Sequence, residues 1–155
     1  MGCGTGALTI WAARLGAKVL AIDSSSEMLR LCAGKARGLG IAEHVSAICR
    51  DAHDLSILED SRFDCVVSCF SATQFSSRSA VYREMFRVLG KNGRCVVTCW
   101  DEPSQMKLFQ ALLGALSSVV PNLSSHLTAQ SGRDSHLMSR RQRGGDAKRR
   151  SHLIF

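Results

Sequence analysis

The sequence predicts an α/β protein built on a doubly wound, mostly parallel sheet, and two observations support that fold class. Segments with helical spacing of apolar residues alternate along the chain with short apolar runs rich in β-branched residues. The strongest runs, residues 64–70 and 95–100, are apolar on both faces, as in strands that helices cover on either side. With 155 residues, 45% of them hydrophobic, the chain is long enough for one such domain.

The elements follow one another in a regular order. Apolar residues that recur every three or four positions predict three helices, over residues 7–15, 26–39 and 78–89. Apolar and β-branched runs predict four strands, over residues 17–22, 44–49, 63–70 and 94–100. Gly93 is expected to close the turn before the last of these strands.

A glycine-rich loop opens the first predicted helix. Gly2, Gly4 and Gly6 alternate with Cys3 and Thr5. Glycine allows backbone conformations closed to other residues and lets a ligand approach the main chain without a Cβ in the way. The loop is a candidate cofactor cradle, although its spacing also fits a dinucleotide fingerprint or a plain glycine turn.

Asp23 ends the apolar run 17–22, about twenty residues after the glycines. At the carboxyl end of a strand, an acid can accept hydrogen bonds from both hydroxyls of a ribose. The alternative is that Asp23 only caps the next helix, a task that Ser24 or Ser25 could also perform. The spacing favours a cofactor that contains adenosine.

Five short motifs occur in order along the chain. They are Gly2-Cys-Gly-Thr-Gly6, Ala21-Ile-Asp-Ser-Ser-Ser-Glu-Met-Leu29, Arg50-Asp-Ala52, Phe63-Asp-Cys-Val-Val-Ser68 and Phe86-Arg-Val-Leu-Gly-Lys-Asn-Gly-Arg94. Together they resemble the class I S-adenosylmethionine-dependent methyltransferases, in particular the ubiquinone and menaquinone C-methyltransferase-like (type 11) group. The resemblance implies a Rossmann-like fold, S-adenosyl-L-methionine as cofactor and methyl transfer to a small-molecule acceptor.

The resemblance also implies the cofactor-binding residues. They are Gly2, Cys3, Gly4, Thr5, Gly6, Asp23, Ser24, Met28, Asp51, Ala52, Phe70 and Ser71. The glycine loop would line the methionine and ribose part of the cofactor, and Asp23 would bind the ribose hydroxyls.

The remaining roles fall after the later strands. Met28 would pack on the adenine, although it could equally be a core methionine. Asp51 would accept from the adenine amino group beside the backbone of Ala52, unless it is only a turn residue. Phe70 and Ser71 would lie beside the methionine and the reacting methyl group, where open α/β sheets bind ligands.

No catalytic base and no metal site are predicted. The sulfonium is already activated, so the fold has mainly to align the reacting groups and exclude water. His53 and Asp54 could reach a substrate, but a surface loop pair is the simpler interpretation. A nicotinamide-dependent oxidoreductase shares the glycine loop and Asp23 but does not explain Asp51, and a non-catalytic binding or interaction module is the second alternative.

Both ends depart from the resembled family. There the glycine loop follows a central apolar strand, whereas here Met1 stands directly before it, and no sixth and seventh strands are recognisable beyond residue 122. We therefore expect an N- and C-terminally truncated copy, with an incomplete sheet that lacks its first and last two strands. Residues 1–122 would form the partial cofactor-binding domain, and 123–155 a disordered tail.

The tail carries most of the net charge of +7, with seven Lys and Arg against two Asp and Glu. Such a tail could contact nucleic acid, although a solvated extension is the simpler interpretation. No apolar run reaches the roughly 18 residues of a membrane span, and no export signal follows Met1. The sequence thus predicts a soluble, cytoplasmic protein and leaves its oligomeric state open.

Overall fold

The computed structural model describes residues 1–100, 106–118 and 152–155. In chain order the elements are α1 (Ala7–Arg14), β1 (Lys18–Asp23), α2 (Ser26–Gly38), β2 (Val45–Cys49), β3 (Phe63–Cys69), α3 (Arg78–Val88), β4 (Leu89–Thr98), α4 (Lys107–Ser117) and β5 (His152–Ile154). Every predicted helix and strand is present. None of the helices in the described ranges has the length and hydrophobicity that crossing a membrane requires.

The chain divides into two compact units. The first comprises Met1–Cys99 and Ala147–Phe155 and contains the whole sheet. The second comprises Trp100–Asp146, and its described residues, Trp100 and 106–118, include the helix α4.

The sheet has five strands in the order β2-β1-β5-β3-β4, and every neighbouring pair is parallel. The predicted doubly wound parallel sheet is therefore confirmed. Helix α3 packs on one face, where Val81 and Met85 join Ile22, Val66 and Ile154 in a buried cluster. Helices α1 and α2 cover the other face through two further buried clusters.

The central position of the sheet, where the sequence predicts that a first strand is missing, is filled from a distant part of the chain. β5 fills that position, pairing with β1 from Lys18 to Leu20 and with β3 at Cys65 and Val66. Two parallel strands with a gap between them would leave their facing N–H and C=O groups unpaired, and the apolar end of the chain satisfies them. Within the predicted disordered tail, residues 152–155 are thus ordered, whereas 123–151 lie outside the described residues.

β5 and the glycine loop lie end to end beside β1. Phe155 donates from its N–H to Leu20 O (2.9 Å) and accepts at its carbonyl from the N–H of Ile22 (2.6 Å). The N–H of Cys3 then donates to Ile22 O (3.0 Å). Strand and loop are therefore joined in space as consecutive parts of one element, although they come from distant parts of the sequence.

Strand β4 begins five residues earlier than predicted. Leu89 pairs with Phe63, but the next paired residues are Arg94 and Cys65, so the register shifts between them. The backbone is tight where the turn was expected: a Cβ on Gly93 would lie 2.8 Å from Gly90 O, and Asn92 has a left-handed backbone with φ of 66°. The sequence placed the start of β4 at residue 94 because only the second of the two paired stretches is a continuous apolar run. The earlier pairing of Leu89 with Phe63 extends the strand to residue 89.

Candidate functional site

The candidate residues converge at one edge of the sheet. Asp23 ends β1, Asp51 and Phe70 follow the carboxyl ends of β2 and β3, and the glycine loop lies beyond the end of β5. The chain runs outward from this point in both directions, from β1 to β2 and from β3 to β4. Such a switch point is where open parallel sheets form a ligand crevice.

The three loop glycines have left-handed backbones, with φ of 67° at Gly2, 55° at Gly4 and 85° at Gly6. A Cβ on Gly2 would lie 2.5 Å from Ser71 Cβ, and one on Gly6 would lie 2.3 Å from Cys32 Sγ. A Cβ on Gly4 would meet nothing within 4 Å. Two of the glycines are thus needed for packing, whereas the third leaves open space for a ligand against the main chain.

The carboxylate of Asp23 holds this loop. Oδ2 accepts a hydrogen bond from the N–H of Gly4 at 2.8 Å, and Oδ1 accepts from the N–H of Ser25 at 2.9 Å. Helix α2 is capped by Ser25, whose Oγ accepts from the N–H of Met28 at 3.3 Å. An ionised carboxylate has about four acceptor positions, so two more remain for a pair of hydroxyls.

The other loop residues are held by α2. Lys35 Nζ donates to the carbonyl oxygen of Thr5 at 3.0 Å and to its Oγ1 at 2.9 Å. A hydrogen bond with Cys32, together with burial, raises the pKa of the Cys3 thiol, which therefore stays protonated at neutral pH. Ser24 is exposed beside Asp23.

On the side of the site after β2, Asp51 is exposed and Ala52 is buried. Met28 is 37% exposed, whereas its neighbour Leu29 fills the core at 7%. Met28 is therefore a surface side chain rather than a core methionine. Hydrogen bonds from the backbone N–H and the imidazole of His53 lower the pKa of Asp51, which keeps its carboxylate ionised.

After β3, Phe70 and Ser71 differ in orientation. Phe70 is exposed and has a left-handed backbone with φ of 55°. Ser71 is buried beneath the glycine loop, where its Oγ donates to Met1 O at 2.8 Å and lies 2.7 Å from Ser68 Oγ. The Ser71 hydroxyl thus supports the loop from below.

The sequence favoured a surface loop position for His53, but in the structure its ring contacts two different loops. Its ring nitrogens contact Asp51 on one side and the segment before α3 on the other. The partner before α3 is Ser77, which is 24 residues away from His53 in the sequence. No local sequence pattern reveals a contact at that separation. Within the described ranges, no group of three His, Cys, Asp or Glu could hold a metal ion.

Comparison with known proteins agrees with this geometry. A family profile described as a methyltransferase domain matches residues 1–97. The ubiquinone/menaquinone biosynthesis C-methyltransferase of Pseudomonas aeruginosa is 33% identical over 132 residues, which are 83% of this chain and 51% of that protein. The chain belongs to the methyltransferase-domain family, whose cofactor is S-adenosyl-L-methionine.

Solved structures show the same fold. An S-adenosylmethionine-dependent methyltransferase from Methanosarcina mazei is 29% identical with a TM-score of 0.63, covering 71% of this chain and 55% of that one. The [4+2]-cyclase SpnF is 31% identical with a TM-score of 0.58, covering 61% and 35%. The chain spans about half the length of the curated relatives it matches.

Proposed function

We propose that this chain binds S-adenosyl-L-methionine at the carboxyl edge of its sheet and transfers the methyl group to a small-molecule acceptor. The observation that carries the proposal is the pairing of Asp23 with Gly4. A fixed carboxylate lies beside a main-chain stretch that is open to a ligand, as an adenosine-containing cofactor requires.

Each part of the cofactor has a proposed partner. The remaining acceptor positions of Asp23 bind the two ribose hydroxyls, and Asp51 accepts from the adenine amino group while Met28 covers the ring. The glycine loop and Phe70 flank the methionine portion. These assignments are supported by the exposure of Asp51, Met28 and Phe70 at one edge of the sheet.

The bound cofactor supplies an activated methyl group, so the protein has to position the reactants and exclude water. His53 is not proposed as a general base, because its Nε2 already accepts a hydrogen bond from the N–H of Ser77 at 3.1 Å. Alignment by the loop and by Phe70 is the contribution we assign to this chain.

The names of the relatives support a carbon acceptor. The curated proteins that match are named for C-methylation in ubiquinone and menaquinone biosynthesis, so quinol-like carbon acceptors are the first substrates to try. A second candidate function is cofactor binding without methyl transfer. It is favoured by the similarity to SpnF, a cyclase in name.

Calorimetric titration with S-adenosylhomocysteine tests the proposed function. We expect saturable binding that is lost in Asp23→Asn, since an amide cannot replace both carboxylate oxygens. Glu43→Gln is the matched control, because Glu43 is an exposed acid directly before the amino end of β2, whereas the site lies at the carboxyl ends of the strands. Binding of NADH alone, or equal binding by the wild type and Asp23→Asn, would refute the proposal.

A transfer assay separates the two candidate functions. The protein is incubated with S-adenosylmethionine carrying a labelled methyl group and a set of quinol acceptors. Label in the quinol product supports methyl transfer. Saturable binding without transfer to any acceptor supports a binding module instead.

A further inference from the structure

His53 is enclosed on several sides at the carboxyl edge of the sheet. Its side chain is 24% exposed, and the ring of Phe75 meets it edge-on with 6.1 Å between centroids and 83° between planes. It lies two residues after Asp51, whose side chain is 67% exposed. The imidazole is therefore held by the protein, whereas the neighbouring carboxylate faces solvent.

Both ring nitrogens of His53 have partners. Nδ1 lies 2.5 Å from Asp51 Oδ1, and Nε2 accepts from the N–H of Ser77 at 3.1 Å with Ser76 Oγ at 3.2 Å. A backbone N–H can only donate, so Nε2 carries no proton. The proton is on Nδ1 and is donated to Asp51, which fixes the tautomer.

These bonds orient the carboxylate of Asp51. The N–H of His53 donates to the same Oδ1 at 2.9 Å, so Oδ1 receives two hydrogen bonds from one residue. Oδ2 takes part in neither bond. The plane of the carboxylate is thereby set, with Oδ2 available to a ligand.

The other end of His53 reaches a different element. Ser77 caps α3, and its Oγ accepts from the N–H of Ala80 at 3.4 Å. Because Nε2 accepts from the backbone of this cap, the imidazole links the segment after β2 to the start of α3. The position of Asp51 therefore depends on the helix that follows Phe70.

We propose that His53 is a positioning residue that aims the free oxygen of Asp51 at the 6-amino group of the adenine and so sets the preference for adenosine. This inference rests on the proposed function, because it requires adenine to lie against Asp51. His53 acts through Asp51 and does not touch the reacting atoms.

The test compares S-adenosylhomocysteine with S-inosylhomocysteine, in which a carbonyl oxygen replaces the 6-amino group. We expect the wild type to prefer the adenosine form by about tenfold or more, as for a hydrogen bond to a charged group. His53→Ala should lose most of that preference by weakening binding of the adenosine form alone. His53→Asn, which can still donate to Asp51, should restore it.

His44→Ala is the matched control. This histidine lies before β2, is 26% exposed and contacts Glu43 at 3.5 Å, but is not part of the site. It should leave the preference unchanged. A His53→Ala variant that weakens both ligands equally, or neither, would overturn the inference, whereas a wild type that binds neither ligand would refute the proposed function itself.

Discussion

Gly2 and Gly16 have similar left-handed backbones but different surroundings. Their φ angles are 67° and 87°, yet only a Cβ on Gly2 would collide with a neighbour, at 2.5 Å from Ser71 Cβ. We expect Gly16→Ala to cost about 1–2 kcal/mol from backbone strain. Gly2→Ala should cost about 3 kcal/mol or more, because overpacking adds to the strain. Urea denaturation measures both, and equal losses would contradict the clash.

Gly4 separates ligand binding from stability. Since an added Cβ would meet nothing within 4 Å, we expect Gly4→Ala to be no less stable than Gly16→Ala. Its methyl group would, however, occupy the space proposed for the cofactor. Affinity for S-adenosylhomocysteine should fall by about tenfold or more, equivalent to roughly 1.4 kcal/mol. Unchanged affinity would place the ligand elsewhere.

The sequence predicted that the glycine loop and Asp23 would face the same ligand, and the structure places the two in contact. The hydrogen bond between them is present at 2.8 Å. The sequence did not reveal the contacts of His53, since they depend on how the segment before α3 folds back towards β2. The local sequence pattern thus located the ends of single strands, but it could not locate contacts between two loops.

At the scale of elements, the last turn of α3 is fastened to the segment before β3. Arg87 donates to Leu58 O and Leu55 O, each at 2.8 Å, and pairs with Glu84 at 2.8 Å and Asp60 at 2.6 Å. Glu84 also accepts from the N–H of Leu55 at 2.9 Å. One guanidinium therefore joins the helix to two carbonyls of the preceding segment.

This junction predicts an acid dependence of stability. The hydrogen bond from Arg87 lowers the pKa of Glu84 below its ordinary 4.5, which outweighs the opposite effect of burial. The unfolded chain then protonates at higher pH than the folded one. The stabilisation is complete above pH 4.5 and is lost as pH falls through the lowered pKa.

Glu84→Gln should therefore be less stable than the wild type at pH 7 and approach it as the pH falls through the lowered pKa of Glu84. Urea midpoints at several pH values provide the measurement. Glu27→Gln is a suitable control, because the ion pair of Glu27 with Arg30 is exposed on α2 and contributes little. A difference between Glu84→Gln and wild type that stays constant with pH would exclude this explanation.

Strand β5 predicts a second effect at this scale. Ile154 is fully buried between β1 and β3, whereas Leu15 is 84% exposed after α1. We expect Ile154→Ala to destabilise the fold by about 2–5 kcal/mol. Leu15→Ala should change stability by no more than about 0.5 kcal/mol. Thermal unfolding measures the stability of the two variants. Similar losses of stability in both would argue against a central β5.

The order of helices and strands was predictable because each has its own apolar period. β5 was not, since three residues carry no period and the preceding segment is polar and basic. Only the unpaired neighbours β1 and β3 explain its position, and that is a property of the assembled sheet.

At the scale of the whole molecule, the first unit depends on a segment far along the chain. Removing residues 147–155 takes away the strand that joins β2-β1 to β3-β4. We expect this shortened chain to lose its cooperative thermal transition by circular dichroism. A synthetic peptide of residues 147–155 should restore the transition in part, and a shortened chain that melts cooperatively on its own would show that β5 is dispensable.

The central position of β5, next to the glycine loop, affects the order of folding. Lys18 pairs with His152, so closing the sheet joins residues about 130 positions apart and carries a correspondingly large entropic cost. Contacts at such separation slow folding. The two halves of the sheet, each made by local βαβ pairing, should form first and dock around β5 last. The crevice at the carboxyl edge lies where these two halves meet at β5. It should therefore be the last part of the protein to form during folding and the first to open during unfolding.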